Sequence, residues 1–278
     1  MRSFSRHLVR TWRRYQADNG DRLAAAVTFY WFLSLFPILL IAVFVTSLAL
    51  GADAGRQVTD GLQPYLGRST AAAVGTVVQH SAGRAGLIGL GGTLLTGLGW
   101  IQGLREAIRA LWHAGPSRGN LITRTLRDAV ILVGLFAVIA GSVVLSGAAT
   151  AATDSVLDLL GLKGTTGAGW VTIALSYLLG AMVDVLLFLY LFLGLAQVPT
   201  TLREVLRGAA FGAVGLEVVK FFGAVYIAYT TTKGEATYGT FAVVVGLLLF
   251  LNLVSRVLLL TAAFTVTGPL APVVPENG

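Results

Sequence analysis

Asp184, Glu217, Lys220 and Arg256 interrupt three long apolar stretches, Trp170–Val198, Gly208–Tyr229 and Phe241–Val266. Two are acidic and two basic, so their charges cancel. An ionised side chain at mid-bilayer costs about 2.5–3.5 kcal/mol on insertion scales, so such residues face a protein interior or a wet path and take partners. Glu217 and Lys220 stand three apart, on one helical face and within reach of each other. Asn252 and Arg256 stand four apart and set an amide and a guanidinium along one stripe. Arg105, Glu106 and Arg109 crowd the end of another apolar stretch, Leu87–Leu104. Tyr30 and Ser34, again four apart, add hydroxyls beside Pro37, whose missing N–H leaves the Leu33 carbonyl without its helical partner and implies a kink. This set suits recognition of an anionic head group by Arg105 and Arg256, with proton or ion handling by Glu217 or Asp184. The alternative is structural: the same groups could be ion pairs that lock helices together. The sequence admits both.

Other chemistries find no support. Cysteine is absent, which removes disulfides, thiol nucleophiles and thiolate metal ligands. His7, His80 and His113 lie far apart in terminal or loop-flanking sequence, so no metal site is expected. Gly161-Leu-Lys-Gly-Thr-Thr166 lacks the spacing of a phosphate-binding loop, and no Gly-x-Ser-x-Gly elbow occurs. We therefore expect no catalytic residues, no cofactor and no enzyme. The net charge of +7 reads as membrane topology rather than nucleic-acid binding, because the cations gather in particular loops.

The elements that must position these residues follow from composition. Hydrophobic residues make up 55% of the 278 and charged ones 12%, with mean hydropathy +0.79, which no ordinary soluble domain shows. Ala24–Leu50, Leu87–Leu104 and Ala129–Ala152 join the three runs above as membrane-crossing candidates, each near the ~20 residues a bilayer needs. The expected fold is an all-α polytopic membrane protein with six transmembrane helices. Residues 1–22 form a cytoplasmic segment, 23–267 the membrane domain and 268–278 a cytoplasmic tail. Phe4, Leu8, Trp12 and Tyr15 share a helical face with Arg6, Arg10, Arg13 and Arg14 around it, a basic amphipathic helix suited to an anionic leaflet. The apolar run that follows is too long for the core of a cleavable signal. Thirteen Lys and Arg residues fall in alternate loops against five in the others, which sets both termini in the cytoplasm. Leu62, Leu66, Val74, Val77 and Val78 recur at helical spacing within 51–86, predicting short amphipathic helices on the outer surface. Eight glycines between Gly83 and Gly103 let helix backbones approach closely, and would serve a homo-oligomer contact as readily as an internal one.

Ala24-Ala-Ala-Val-Thr-Phe-Tyr-Trp-Phe-Leu-Ser-Leu-Phe-Pro37 resembles the first-span signature of the YihY/BrkB family of bacterial inner-membrane proteins. Ala107-Ile-Arg-Ala-Leu-Trp112 is similar to that family's second-span ending, with Arg109 where Asn is common. Tyr238-Gly-Thr and Leu247-Leu-Leu-Phe-Leu are similar to its C-terminal pattern, with Asn252 near a position often aromatic. The resemblance implies six transmembrane helices in the bacterial inner membrane. It also carries an older ribonuclease label, which this chain contradicts by lacking a nuclease constellation, and a newer link to transport or lipid export. The expectation is a transporter or flippase for an anionic, lipid-linked substrate, without its own ATPase and with anionic lipids as partners. The competing expectation is a membrane scaffold that organises envelope proteins. A transporter needs its intramembrane charges solvent-reachable; a scaffold would close them in pairs.

Overall fold

Long apolar runs can satisfy their backbone in a membrane only by coiling, and among the described residues all regular structure is helical. A computed structural model describes residues 2–50, 53–114, 120, 122–135, 137, 138, 141, 166–196, 201–233 and 239–268. Most of the expected third span, most of the 153–168 segment and nearly all of the expected tail lie outside these residues. The helices are α1 (Arg2–Ala17), α2 (Gly20–Leu50), α3 (Ala54–Leu66), α4 (Arg68–Leu111), α5 (122–135), α6 (Thr166–Leu191), α7 (Leu202–Lys233) and α8 (Gly239–Val266). A short π-helical turn, Phe192–Ala196, ends α6. Three helices are long and apolar enough to cross a membrane among the described residues, over Leu178–Leu195, Leu202–Tyr226 and Val244–Val266. They coincide with the expected fourth, fifth and sixth spans.

The segment before the second span differs from expectation. One helix, α3, forms as the apolar spacing predicts, but the helix after it does not stop at residue 86. Helix α4 runs unbroken for 44 residues and carries the expected second span as its C-terminal part. At the helical rise this is roughly 66 Å, about twice a hydrocarbon core. Nothing in 68–86 breaks a helix: there is no proline, and glycine costs a helix only about 1 kcal/mol per residue. The turn before it has a physical cause in Gly67, whose φ of 75° is open to glycine and strained for other residues. Helix α3 then folds back on α4. Thr59 donates to Gly55 O at 2.8 Å, with Ala71 O at 3.4 Å, and a methyl group on Gly75 would meet Gly55 O at 2.6 Å. Helix α2 continues past Pro37 as a single element.

The chain divides into two compact units, and α4, α7 and α8 contribute residues to both. The first comprises Met1–Asp18, Ile108–Glu217 and Val257–Gly278. Its core is built from Ile108, Leu111 and Trp112, from Phe188, Leu191 and Leu195, and from Ala209, Leu259 and Ala263. Lipid tails are as apolar as leucine, so close backbone approach and interhelical hydrogen bonds must do what burial does in water. Gly212 shows this. A methyl group there would lie 2.6 Å from Thr261 Oγ1 on α8 and 2.8 Å from the Phe188 ring on α6. Trp112 Nε1 donates to Ala262 O at 3.0 Å across the same unit. Just beyond α4, His113 adopts φ 49° where glycine is usual. Its N–H donates to Ala110 O and that of Ala114 to Arg109 O, the paired bonds of a Schellman ending.

The second unit comprises Asn19–Ala107 and Val218–Arg256. Asn19 opens it at φ 55°, a conformation asparagine tolerates better than most residues, and its carbonyl accepts the first bonds of α2. The Tyr30 ring lies across α4, 3.5 Å from where a Gly99 methyl would sit and 3.3 Å from one on Gly103. Trp31 and Trp100 meet at 5.3 Å between centroids. Gly91, by contrast, faces open space. The glycines of span 2 thus serve an internal contact at two positions and no described contact at a third.

Candidate functional site

Helix α2 presents Asp21, Ala24 and Thr28 on one face, since residues three, four and seven apart stack along a helix. Helix α8 presents Asn252, Ser255 and Arg256 by the same rule. Within the second unit these faces meet in a polar seam. Thr28 Oγ1 donates to Ala24 O at 2.7 Å, accepts from Asn252 Nδ2 at 3.3 Å and lies 3.1 Å from Ser255 Oγ. Two turns before Thr28, Asp21 Oδ1 sits 3.5 Å from Arg256 Nε. That pair is open: the side chains are 49% and 46% exposed. Ser255 and Thr28 are buried, so the seam runs from a closed hydroxyl cluster to an exposed ion pair.

Arg105 stands in contrast, buried to 1% exposure on α4 beside the equally buried Leu104 and Ile101. A guanidinium presents five donors, cannot deprotonate and matches carboxylate or phosphate in a fork. Glu106, the next residue, is exposed and points about 100° away around the helix, so it does not share Arg105's environment. Tyr30 is partly exposed over Gly99 and Gly103, while Ser34 is buried and donates to Trp31 O at 2.7 Å. Ser34 therefore closes onto its own helix.

The carboxylates of the expected ion path belong to the first unit. Asp184 is buried on α6 at 4% exposure. A methyl group on Gly180, one turn earlier on that face, would come within 3.0 Å of Glu217 Oε1 on α7. The small residue lets Glu217 approach α6 one turn away from Asp184. Lys220 is half-buried in the second unit. Arg256, Asn252, Arg105, Tyr30, Ser34 and Lys220 thus fall in one unit, and Asp184 and Glu217 in the other.

Sequence reasoning passed over several polar residues. Asp21 stood outside the first apolar run, and its spacing of seven from Thr28 was the available signal. Asp128 and Glu204 stand at run boundaries, and both are buried, at 0% and 2% exposure. A lone boundary carboxylate carries no periodic pattern, so only packing reveals its burial. Among the described residues no group of three or more His, Asp or Glu side chains is placed to hold a metal ion.

Among the described residues, an all-helical fold with three helices long and apolar enough to cross a bilayer marks a membrane protein. The sequence profile of the virulence factor BrkB family matches residues 11–272, and the chain belongs to that family. An uncharacterized protein of Dickeya dadantii is 29% identical over 274 residues, covering 94% of this chain and 83% of the relative. The inner membrane protein YhjD of Escherichia coli is 27% identical over 278 residues, covering 94% and 80%. A UPF0761 membrane protein of Rhodospirillum centenum is 27% identical over 261 residues, covering 92% of this chain and 56% of its own length. No solved structure matches.

Proposed function

We propose that this protein is a carrier rather than an enzyme, a transporter or flippase for an anionic, lipid-linked substrate in the bacterial inner membrane. The Escherichia coli relative's name carries that location, and the charge alternation of the loops favours six spans with both termini in the cytoplasm. The open Arg256–Asp21 pair carries the reading. An exposed ion pair contributes about 0–1 kcal/mol, so an incoming phosphate or carboxylate can displace Asp21 at little cost. A scaffold would close its charges. Arg105, buried in the same unit, is closed to an incoming anion and leaves Arg256 as the guanidinium within its reach. Asp184 and Glu217 are the groups suited to couple a proton or cation.

The test is native mass spectrometry of the purified protein with its co-extracted lipid. We expect a near-stoichiometric anionic lipid on the wild type, and about tenfold or greater loss in Arg256→Ala, the scale of one charge-assisted contact. Asp21→Asn removes the competitor and should retain at least as much lipid as wild type. Bulk lipid that neither substitution changes would favour the scaffold.

A further inference from the structure

Helix α1 has three faces, and the protein uses one. Arg14, His7, Thr11 and Tyr15 fall within about 100° of arc and make the contacts of the first unit. His7 Nε2 donates to Phe264 O at 3.0 Å, with Thr267 Oγ1 at 3.1 Å, and the imidazole stacks on the Phe264 ring at 4.1 Å. Thr11 Oγ1 reaches Thr267 Oγ1 at 3.1 Å, and Arg14 Nε donates to Leu111 O at 2.8 Å. Tyr15 is buried to 1% exposure. Beside this polar seam, two apolar residues are left out. Trp12 and Val9 are 54% and 51% exposed, along the arc next to the seam. Phe4 lies within the seam's arc and meets the Phe264 ring edge-on at 6.5 Å. Arg6, Arg10 and Arg13 are exposed on the third arc, and Arg203 and Arg207 are exposed on the first turns of α7 in the same unit. The nearby carboxylate, Glu204, is buried.

We propose that α1 is a preformed docking surface for the head groups of anionic lipids. Val9 and Trp12 enter the boundary between head groups and acyl chains, and Arg6, Arg10 and Arg13 take the phosphates. Two observations select this occupant. The exposed charge is of one sign, which complements an anionic surface, each arginine near it contributing about 1 kcal/mol. The apolar arc also lies directly beside the basic one, the arrangement of a helix lying in the interfacial plane. A free amphipathic helix could roll to hide its aromatic residues. Here the His7 and Arg14 hydrogen bonds fix the rotation and hold Trp12 outward, so the helix binds without an ordering cost.

The chain lacks cysteine, so one introduced thiol is a unique label. Full-length Trp12→Cys, carrying a polarity-sensitive fluorophore, is placed in nanodiscs of phosphatidylcholine with or without phosphatidylglycerol, plus lipids bearing a quencher at the head-group boundary. We expect strong quenching in the anionic discs, falling severalfold in phosphatidylcholine alone and when Arg6, Arg10 and Arg13 become Gln. Val9→Cys repeats the measurement at a second position, so a local defect at residue 12 cannot mimic the result. Emission that ignores lipid charge and the arginine substitutions overturns the proposal and assigns this face to another segment or a second copy of the chain. Arg256 is untouched, so this outcome leaves the carrier reading separately testable.

Discussion

A histidine packed against a carbonyl and a phenyl ring gives up solvent, and His7 titrates below its ordinary range for that reason. Burial is the main cause; the bond to the Phe264 carbonyl opposes it, Arg10 adds to it, Glu204 opposes it and Arg207 adds to it. Between the ordinary value of about 6.5 and the lowered one, the unfolded chain binds more protons than the folded chain. Stability therefore falls as pH falls through that window and levels off below it. Thermal unfolding in detergent across this range should show the slope in wild type and a flatter profile in His7→Gln, whose amide donates but does not titrate. Equal slopes would remove His7 as the source. Nothing in the residue pattern hints at this role. A lone histidine on a basic helix reads as solvated, and its carbonyl acceptor lies 257 residues away. Asp21 is the same case: one acidic residue at a helix start, interpretable only once Arg256 stands beside it.

Glycines make the matching argument for whole elements. Composition marks Leu87–Leu104 as glycine-dense, but it cannot say which glycine touches what. Gly212 on α7 is wedged between Phe188 and Thr261, whereas Gly91 on α4 has nothing within 4 Å. Alanine at Gly91 should gain helix propensity of up to about 1 kcal/mol. Alanine at Gly212 must also displace an aromatic ring and a hydroxyl, and overpacking of that kind costs about 1–3 kcal/mol. Apparent melting temperature in detergent should thus drop for Gly212→Ala and hold or rise for Gly91→Ala. If both rise, α6, α7 and α8 pack more loosely than these contacts require. The helical periods of α1 and α3 were legible in advance. Which arc of α1 the protein would keep was not, because the Leu8–Trp12 and His7–Arg14 arcs are both acceptable seams by pattern.

At the scale of the molecule the governing claim is topological. Helix α2 should carry the chain across the membrane once, between a cytoplasmic α1 and an external α3. With no native thiol, Ser5→Cys and Gln57→Cys report their own sides. In intact spheroplasts an impermeant maleimide should label residue 57 at once and residue 5 only after lysis. Labelling of both from outside would invert or abolish the first crossing and with it the six-span arrangement.

Run length and composition by themselves determined that this chain is helical and belongs in a bilayer, because lipid offers backbone groups no partner outside a helix. Loop charge gave the expected orientation, and residue spacing marked Asn252 with Arg256 as one stripe. Tertiary structure alone decided the partners. Asp21 against Arg256, His7 against Phe264, and Tyr30 across Gly99 and Gly103 each join residues far apart in sequence. Helical periodicity tells which residues share a face, but which face meets which depends on packing among long helices. In lipid that packing turns on small residues and a few hydrogen bonds rather than on apolar pattern.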